Sequence, residues 1–351
     1  MLSSSSISSF ELTKYERVYT TTQPRAALVF LLAVVCIEFG VWRGHSWFAD
    51  LAAWFWETKA ELVAEGHLDG EVAVFGSSVL FHGLDPLPAD QRLGGKRKVV
   101  NLALNGQTLQ HSTQILNRFL ARNKKVRVVV LEIWNMDVEH DSWLRGPYYR
   151  FWATWDEFLQ SKVHYWDIAP IVAFAANRSL PSFRYREALD NWVSTCLRTR
   201  TISDETLLRN RAVTEEMTEH LGFVPGEVFE TVSMNPNQVP AARERPWLIT
   251  AAGDLWLRRF VAICERHNLR LVFLQPPAPP FVESERALSA YRDAFQGYVT
   301  EIKQQYPRLS LETLDFPGYK LENFADDHHL SRKGRVRLSE DFAAWLAARK
   351  D

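Results

Sequence analysis

Five short runs rich in Val, Leu and Ile, separated by stretches of helical periodicity, constrain this chain more than any other feature. They are Glu71–Phe75, Lys98–Leu102, Arg127–Ile133, Arg270–Leu274 and Leu309–Thr313. None alternates apolar with polar residues, which is the pattern of a strand covered on both faces and so of a parallel sheet. Between them, Thr108–Arg122 places Leu109, Leu116, Phe119 and Leu120 on one helical face, and Asp254–His267 reads as a second helix. Ser284–Gln305 carries Leu288, Tyr291, Phe295, Tyr298 and Ile302 at three-to-four spacing, and Lys333–Arg349 carries Val336, Phe342, Trp345 and Leu346 inward. Strands alternating with helices predict an α/β fold with a doubly wound, mostly parallel five-stranded sheet. Sites in such folds form past the carboxyl ends of strands, where Ser78 and Asn135 stand.

Ahead of this pattern runs AALVFLLAVVCIEFGVW, Ala26–Trp42, interrupted by Glu38 alone. That is near the ~20 apolar residues that span a bilayer. Lys14, Arg17 and Arg25 precede it, whereas Arg43 is followed by Asp50 and Glu57. The bias places the N-terminus in the cytoplasm and the rest outside, with Trp42, Trp47, Trp54 and Trp56 as an interfacial belt. No A-x-A site closes the apolar core, and Val35 before Cys36 is too large for lipoprotein cleavage. A buried helix of a soluble domain is the competing reading. The expected organisation is a disordered cytoplasmic tail (1–25), a transmembrane anchor (26–42), a stalk (43–69) with Ser46–Glu65 helical, and the α/β domain (70–351). Residues from about 142 to 249 break the alternation as a helical insertion rich in aromatics. Its Trp143, Tyr148, Tyr149, Phe151, Trp152, Trp155, Tyr165 and Trp166 suit a core of its own, a substrate wall or a lid.

A net charge of −1 gives no polyelectrolyte footprint, so a nucleic-acid partner is not expected. Cys36, Cys196 and Cys264 have no C-x-x-C spacing, and no metal site is read from them. Cys196 and Cys264 could pair in an exported domain or remain separate buried thiols.

Two short motifs carry chemistry. Val72-Ala73-Val74-Phe75-Gly76-Ser77-Ser78 is an apolar run that stops at a small residue and two hydroxyls. Asp326-Asp327-His328-His329-Leu330-Ser331 stands before the last amphipathic helix. A serine nucleophile needs an imidazole to take its proton and a carboxylate to orient that imidazole. Ser78, His329 and Asp326 are the candidates, with Asp327 and His328 a rival pairing one residue out of register. Oxyanion donors are offered by the turn at Ser78, the backbone N–H of Gly106 and the amide of Asn135. His82 and Asp85 read as turn and substrate-rim residues. The competing reading makes Gly-Ser-Ser an ordinary helix-capping turn and the Asp/His segment a solvated loop.

At these residues the chain resembles the SGNH (GDSL-like) hydrolase superfamily. The resemblance rests on Gly76-Ser77-Ser78, on Asn101 with Asn105-Gly106, on Asn135, and on Asp326-Asp327-His328-His329-Leu330 with Gly334. Ser77 stands where the G-D-S triplet has Asp, and Glu132-Ile133-Trp134-Asn135-Met136-Asp137 replaces G-x-N-D. It covers about 70–141 and 250–351. It implies a flavodoxin-like three-layer fold, a Ser78–His329–Asp326 triad, an oxyanion hole of Ser78, Gly106 and Asn135, and no cofactor. Gly-Ser-Ser behind a single anchor is similar to the membrane-tethered, extracytoplasmic branch, to which proteins of teichoic acid D-alanylation and alginate O-acetylation belong. That implies a serine esterase or O-acyltransferase at a bacterial inner membrane, working on acyl esters of an envelope polysaccharide beside a multi-spanning acyltransferase. Two other classes compete: a non-catalytic scaffold binding polysaccharide or an assembly partner through its insertion, and a soluble cytoplasmic lipase-like hydrolase.

Overall fold

The computed structural model describes residues 9–44, 54–95, 98–133, 147–160, 168–186, 189–190, 193, 215, 217, 219–223, 247, 249–288 and 290–349. In chain order the elements are α1 (Ser9–Arg43), α2 (Trp54–Glu65), β1 (Val72–Phe75), α3 (Ser78–Gly83), α4 (Leu87–Arg92), β2 (Val99–Asn101), α5 (Leu109–Arg122) and β3 (Val128–Glu132). The insertion contributes α6 (Pro147–Phe151), α7 (Trp155–Gln160), α8 (Ile168–Ser179) and α9 (Pro181–Arg184). There follow α10 (Ala251–Arg266), β4 (Arg270–Gln275), α11 (Pro280–Leu288), α12 (Tyr291–Gln305), β5 (Leu311–Asp315) and α13 (Arg332–Ala347).

The five apolar runs pair as one all-parallel sheet in the order β2-β1-β3-β4-β5, as the sequence predicts. Every residue of β1, β2 and β3 is buried, because α5, α10 and α12 cover one face and α4 and α13 the other. From β1 the chain first winds to β2 and then returns to β3 on β1's other side. That reversal opens a crevice at the carboxyl ends of β1 and β3. Phe75 pairs with Leu131, which brings Gly76 beside Glu132.

The structure corrects several expectations. The long helix read over Ser284–Gln305 is two, α11 and α12, parted at Ala290, whose φ of 54° is left-handed. The last strand starts two residues later than expected, at Leu311, and on α13 Val336, expected to face inward with Phe342 and Leu346, is exposed. Within the stretch read as a stalk, α2 packs on α5, and Trp56, Leu62 and Val63 join the core. Trp56 is therefore not part of an interfacial belt; its carbonyl accepts the indole N–H of Trp152 at 2.6 Å. Most described aromatics of the insertion are core, with Tyr148, Tyr149 and Trp152 buried. Trp47, Asn135, Trp143, Tyr165, Trp166 and Cys196 lie outside the described residues; Cys264 is a free, buried thiol.

Within α1, Arg25–Arg43 is long and apolar enough to cross a membrane. Most of its side chains are uncovered by protein. Glu38 is the exception to its apolar character, and it is partnered: Ser182 of α9 donates to it from its backbone N–H at 2.9 Å and also from its hydroxyl.

Candidate active site

β1 ends at Phe75 because Gly76 and Ser77 leave the ladder and start a helix. Ser77 is the N-cap of α3, its hydroxyl oxygen accepting the N–H of Val79 at 3.4 Å, and Ser78 is the first helical residue. The Ser78 hydroxyl thus stands at the strand's exit, half-buried, beside the first amides of a helix, which have no intrahelical acceptor. Asn101, fully buried at the end of β2, fixes this short helix from below. Its amide donates to the carbonyls of Leu80 and Leu84, both at 2.9 Å, while its own oxygen accepts from Ala103.

The second half of the site comes from the loop before α13. Phe324 and Leu330 form a bridge, and Ala325 N–H donates to His329 O at 2.8 Å. Ser331 caps α13, and Gly334 sits so close to the loop that a Cβ would fall 1.9 Å from Asn323 O. The loop is therefore pinned at both ends, and its tip is fixed by Asp326. One carboxylate oxygen accepts the backbone N–H groups of His328 (2.9 Å) and His329 (2.6 Å); the other meets His329 Nδ1 at 2.6 Å. His329 Nε2 in turn lies 2.9 Å from Ser78 Oγ.

The structure thus joins Ser78, His329 and Asp326 in one hydrogen-bonded line. Burial alone would raise the Asp326 carboxyl, but the ring and backbone donors of His329 and His328 outweigh it and hold it well below the usual carboxylate range. An ionised Asp326 accepts from Nδ1–H, which leaves Nε2 free to accept the proton of Ser78. The rival pair also forms, His328 Nδ1 meeting Asp327 at 2.5 Å, but it is His329 that reaches the serine. Asp326, His328 and His329 bring three potential metal-ligand atoms within 4.8 Å. Both ring nitrogens of His329 are already engaged by Asp326 and Ser78, so this donor set coincides with the line just described.

Of the residues expected to supply oxyanion donors, Ser78 begins α3 and Asn135 lies outside the described residues. Gly106 adopts φ 66° in the turn after β2, and that turn is tied to the serine's strand by Leu104 N–H donating to Gly76 O at 3.1 Å. His82 is not a rim residue: it is buried, its ring centroid 6.5 Å from that of His329. Burial, then the neighbouring His329, pushes it down to about 4, so it is neutral near pH 7. Asp85 is used structurally, accepting from Leu87 N–H and giving its own N–H to Ser339.

Sequence reasoning missed Glu132. Its carboxylate, buried at the end of β3, accepts from Ser77 N–H at 2.7 Å and from the Ser77 hydroxyl at 2.9 Å. Burial pushes its carboxyl up to about 7, against the opposing effect of those two bonds. A charge closing the run Val128-Val129-Val130-Leu131 was the available signal.

No family model matches the chain, and no curated protein matches it. A solved structure of a Streptococcus pneumonia protein, provisionally described as a platelet activating factor, is similar over 88% of this chain and 98% of its own. The identity is 12% and the TM-score 0.39, a likeness too distant to bear on function.

Proposed function

We propose that this chain is a membrane-anchored serine esterase or O-acyltransferase. The observation that carries this is the unbroken line Ser78 Oγ–His329 Nε2 at 2.9 Å and His329 Nδ1–Asp326 at 2.6 Å, at the switch point of a parallel sheet. A scaffold that only binds has no need of it. Ser78 attacks an acyl carbonyl while His329 takes the hydroxyl proton; the ester C–O bond then breaks as His329 gives that proton to the departing alcohol. Water or a sugar hydroxyl next attacks the acyl-Ser78 carbonyl, losing its proton to His329, and that proton returns to Ser78 as the new product leaves. Amides of the Ser78 and Gly106 turns are the proposed oxyanion donors.

The finer reading rests on the Gly-Ser-Ser variant behind an apolar helix, which resembles the tethered extracytoplasmic branch of SGNH hydrolases. It assigns acyl esters of an envelope polysaccharide as substrate, the outer side of a bacterial inner membrane as location, and a multi-spanning acyltransferase as companion. The test uses the full chain in detergent with a fluorophosphonate probe and an activated acetyl ester. A single adduct and turnover, both abolished in Ser78→Ala, are expected; labelling that persists in Ser78→Ala overturns the assignment.

A further inference from the structure

The insertion presents an apolar surface that nothing in the described chain covers. Helix α8 is apolar on both sides. Inward, Phe174 stacks on Phe158 at 4.3 Å; outward, Ile168 and Val172 stand one turn apart, 71% and 57% exposed. Leu180, at the end of α8, and Trp155 and Leu159, one turn apart on α7, are also exposed. Trp155 packs edge-on against Phe174 at 4.8 Å, so α7 and α8 are locked side by side. A soluble surface seldom leaves a pair such as Ile168 and Val172 this exposed on one helix face without a partner.

What covers them follows from where they are held. Ser182, two residues beyond Leu180, is bonded to Glu38 through both its N–H and its hydroxyl. Glu38 lies five residues before Arg43, the end of the apolar span, hence roughly 7–8 Å along the helix axis from that end. The contact therefore sets α8 and α9 at the level of the span's outer end, where Phe39 and Trp42 are themselves exposed. Arg178 in the last turn of α8, exposed, with Arg184 in α9 and Arg186 just beyond it, both half-buried and donating to Asn177, places cations beside these residues. An apolar face bordered by arginines is what the headgroup boundary of a bilayer accepts, with burial of about 5–10 Å.

We infer that the α7–α8 face, centred on Ile168 and Val172, is a second membrane contact that rests in the headgroup region beside the anchor. This would hold the Ser78 crevice at a fixed tilt over the lipid, where an α1 anchor alone would leave the domain free to turn. The inference rests on the reading of Arg25–Arg43 as a membrane span.

The test uses the full-length protein with Cys36→Ser and Cys196→Ser, leaving the buried Cys264 in place. A nitrobenzoxadiazole label is attached in turn at Ile168→Cys, Val172→Cys, Leu31→Cys in the span, and Gly297→Cys, an exposed α12 position with nothing within 4 Å of an added Cβ. Each is reconstituted in protein-free vesicles of phosphatidylcholine and phosphatidylglycerol, with and without a mixture of lipids doxyl-labelled near the headgroup and near the chain end, after a thermal melt confirms folding. The expected result is a fluorescence loss of about half at Ile168, Val172 and Leu31 and none at Gly297. Loss at Leu31 without loss at Ile168 and Val172 overturns the inference and leaves the anchor standing. No loss at Leu31 overturns the anchor, and the inference with it.

Discussion

The carboxylate of Glu132 holds the residue just before the candidate nucleophile by two hydrogen bonds, from the N–H of Ser77 at 2.7 Å and from its hydroxyl at 2.9 Å. Around it stand the Leu80 N–H and, from the facing loop, His329. Burial dominates and lifts the carboxyl from its ordinary 4.5 to about 7. A folded-state value above the unfolded one means the native protein holds the proton more tightly. The contribution to stability is therefore complete below about pH 4.5 and is lost as pH rises through 7. A shift of that size is worth on the order of 3 kcal/mol. Glu132→Gln removes this titration, so its unfolding free energy relative to wild type should improve between pH 5 and 8, read from urea midpoints. A parallel pH dependence in the two proteins would show that Glu132 is ionised throughout.

Gly76 faces that same carboxylate. A Cβ there would lie 2.2 Å from a Glu132 oxygen and 2.8 Å from the Glu132 Cβ, closer than atoms approach. Gly76→Ala must push β3's end away from Ser77, at a cost of about 1–3 kcal/mol, and displace the Ser78 turn with it. The expected outcome is a lower urea midpoint together with slowed fluorophosphonate labelling. In a double mutant with Glu132→Ala, which removes the carboxylate oxygen but keeps the Cβ at 2.8 Å, the stability penalty of Gly76→Ala should shrink without vanishing.

How much of this was legible is decided by how far each feature reaches along the chain. The strands were readable because Val72–Phe75 and Val128–Glu132 are buried on both faces and so carry continuous apolar runs. The Asp326–His329 link spans three residues and was readable as spacing. The Glu132–Ser77 pair was not, since it exists only because β1 and β3 are neighbours in register. Trp56 misled for a related reason: a tryptophan behind an apolar helix suits a membrane edge and a core equally, and only packing on α5 separates the two. Nor did the sequence mark the break at Ala290, where no glycine or proline signals the left-handed residue between α11 and α12.

Asn101 makes a prediction that separates support from chemistry, because it touches neither His329 nor Ser78 by any bond described. Its amide satisfies the carbonyls of Leu80 in α3 and of Leu84, the residue that caps it, and its oxygen satisfies Ala103 N–H. Asn101→Leu takes the partner from the Leu84 carbonyl and the Ala103 N–H, at about 1–3 kcal/mol each, offset in part by relaxation, while the Leu80 carbonyl keeps the N–H of Leu84 at 3.1 Å. The melting temperature should fall by many degrees. Asn101→Gln, longer by one methylene, should recover little of the loss, because the fully buried site has no spare room. Unchanged stability in Asn101→Leu would mean that α3 is held by its packing alone.

Two adjacent carboxylates, Asp326 and Asp327, each meet a histidine ring, and substitution tells them apart. Asp326→Asn would present an amide N–H toward His329 Nδ1, forcing the ring proton onto Nε2, the atom that must accept the proton of Ser78. Where such a substitution has the same geometric consequence, the loss in kcat is about 10⁴. Asp327 meets only His328 in this line, and its side chain is 45% exposed, so Asp327→Asn should leave kcat within about twofold of wild type. Hydrolysis of an activated acetyl ester by the full-length protein reads both. The two variants also bear differently on structure, since Asp326 accepts two backbone N–H groups that an Asn oxygen can still take. Asp326→Asn should therefore keep its fold and lose its rate, and equal losses in the two variants would transfer the orienting role away from Asp326.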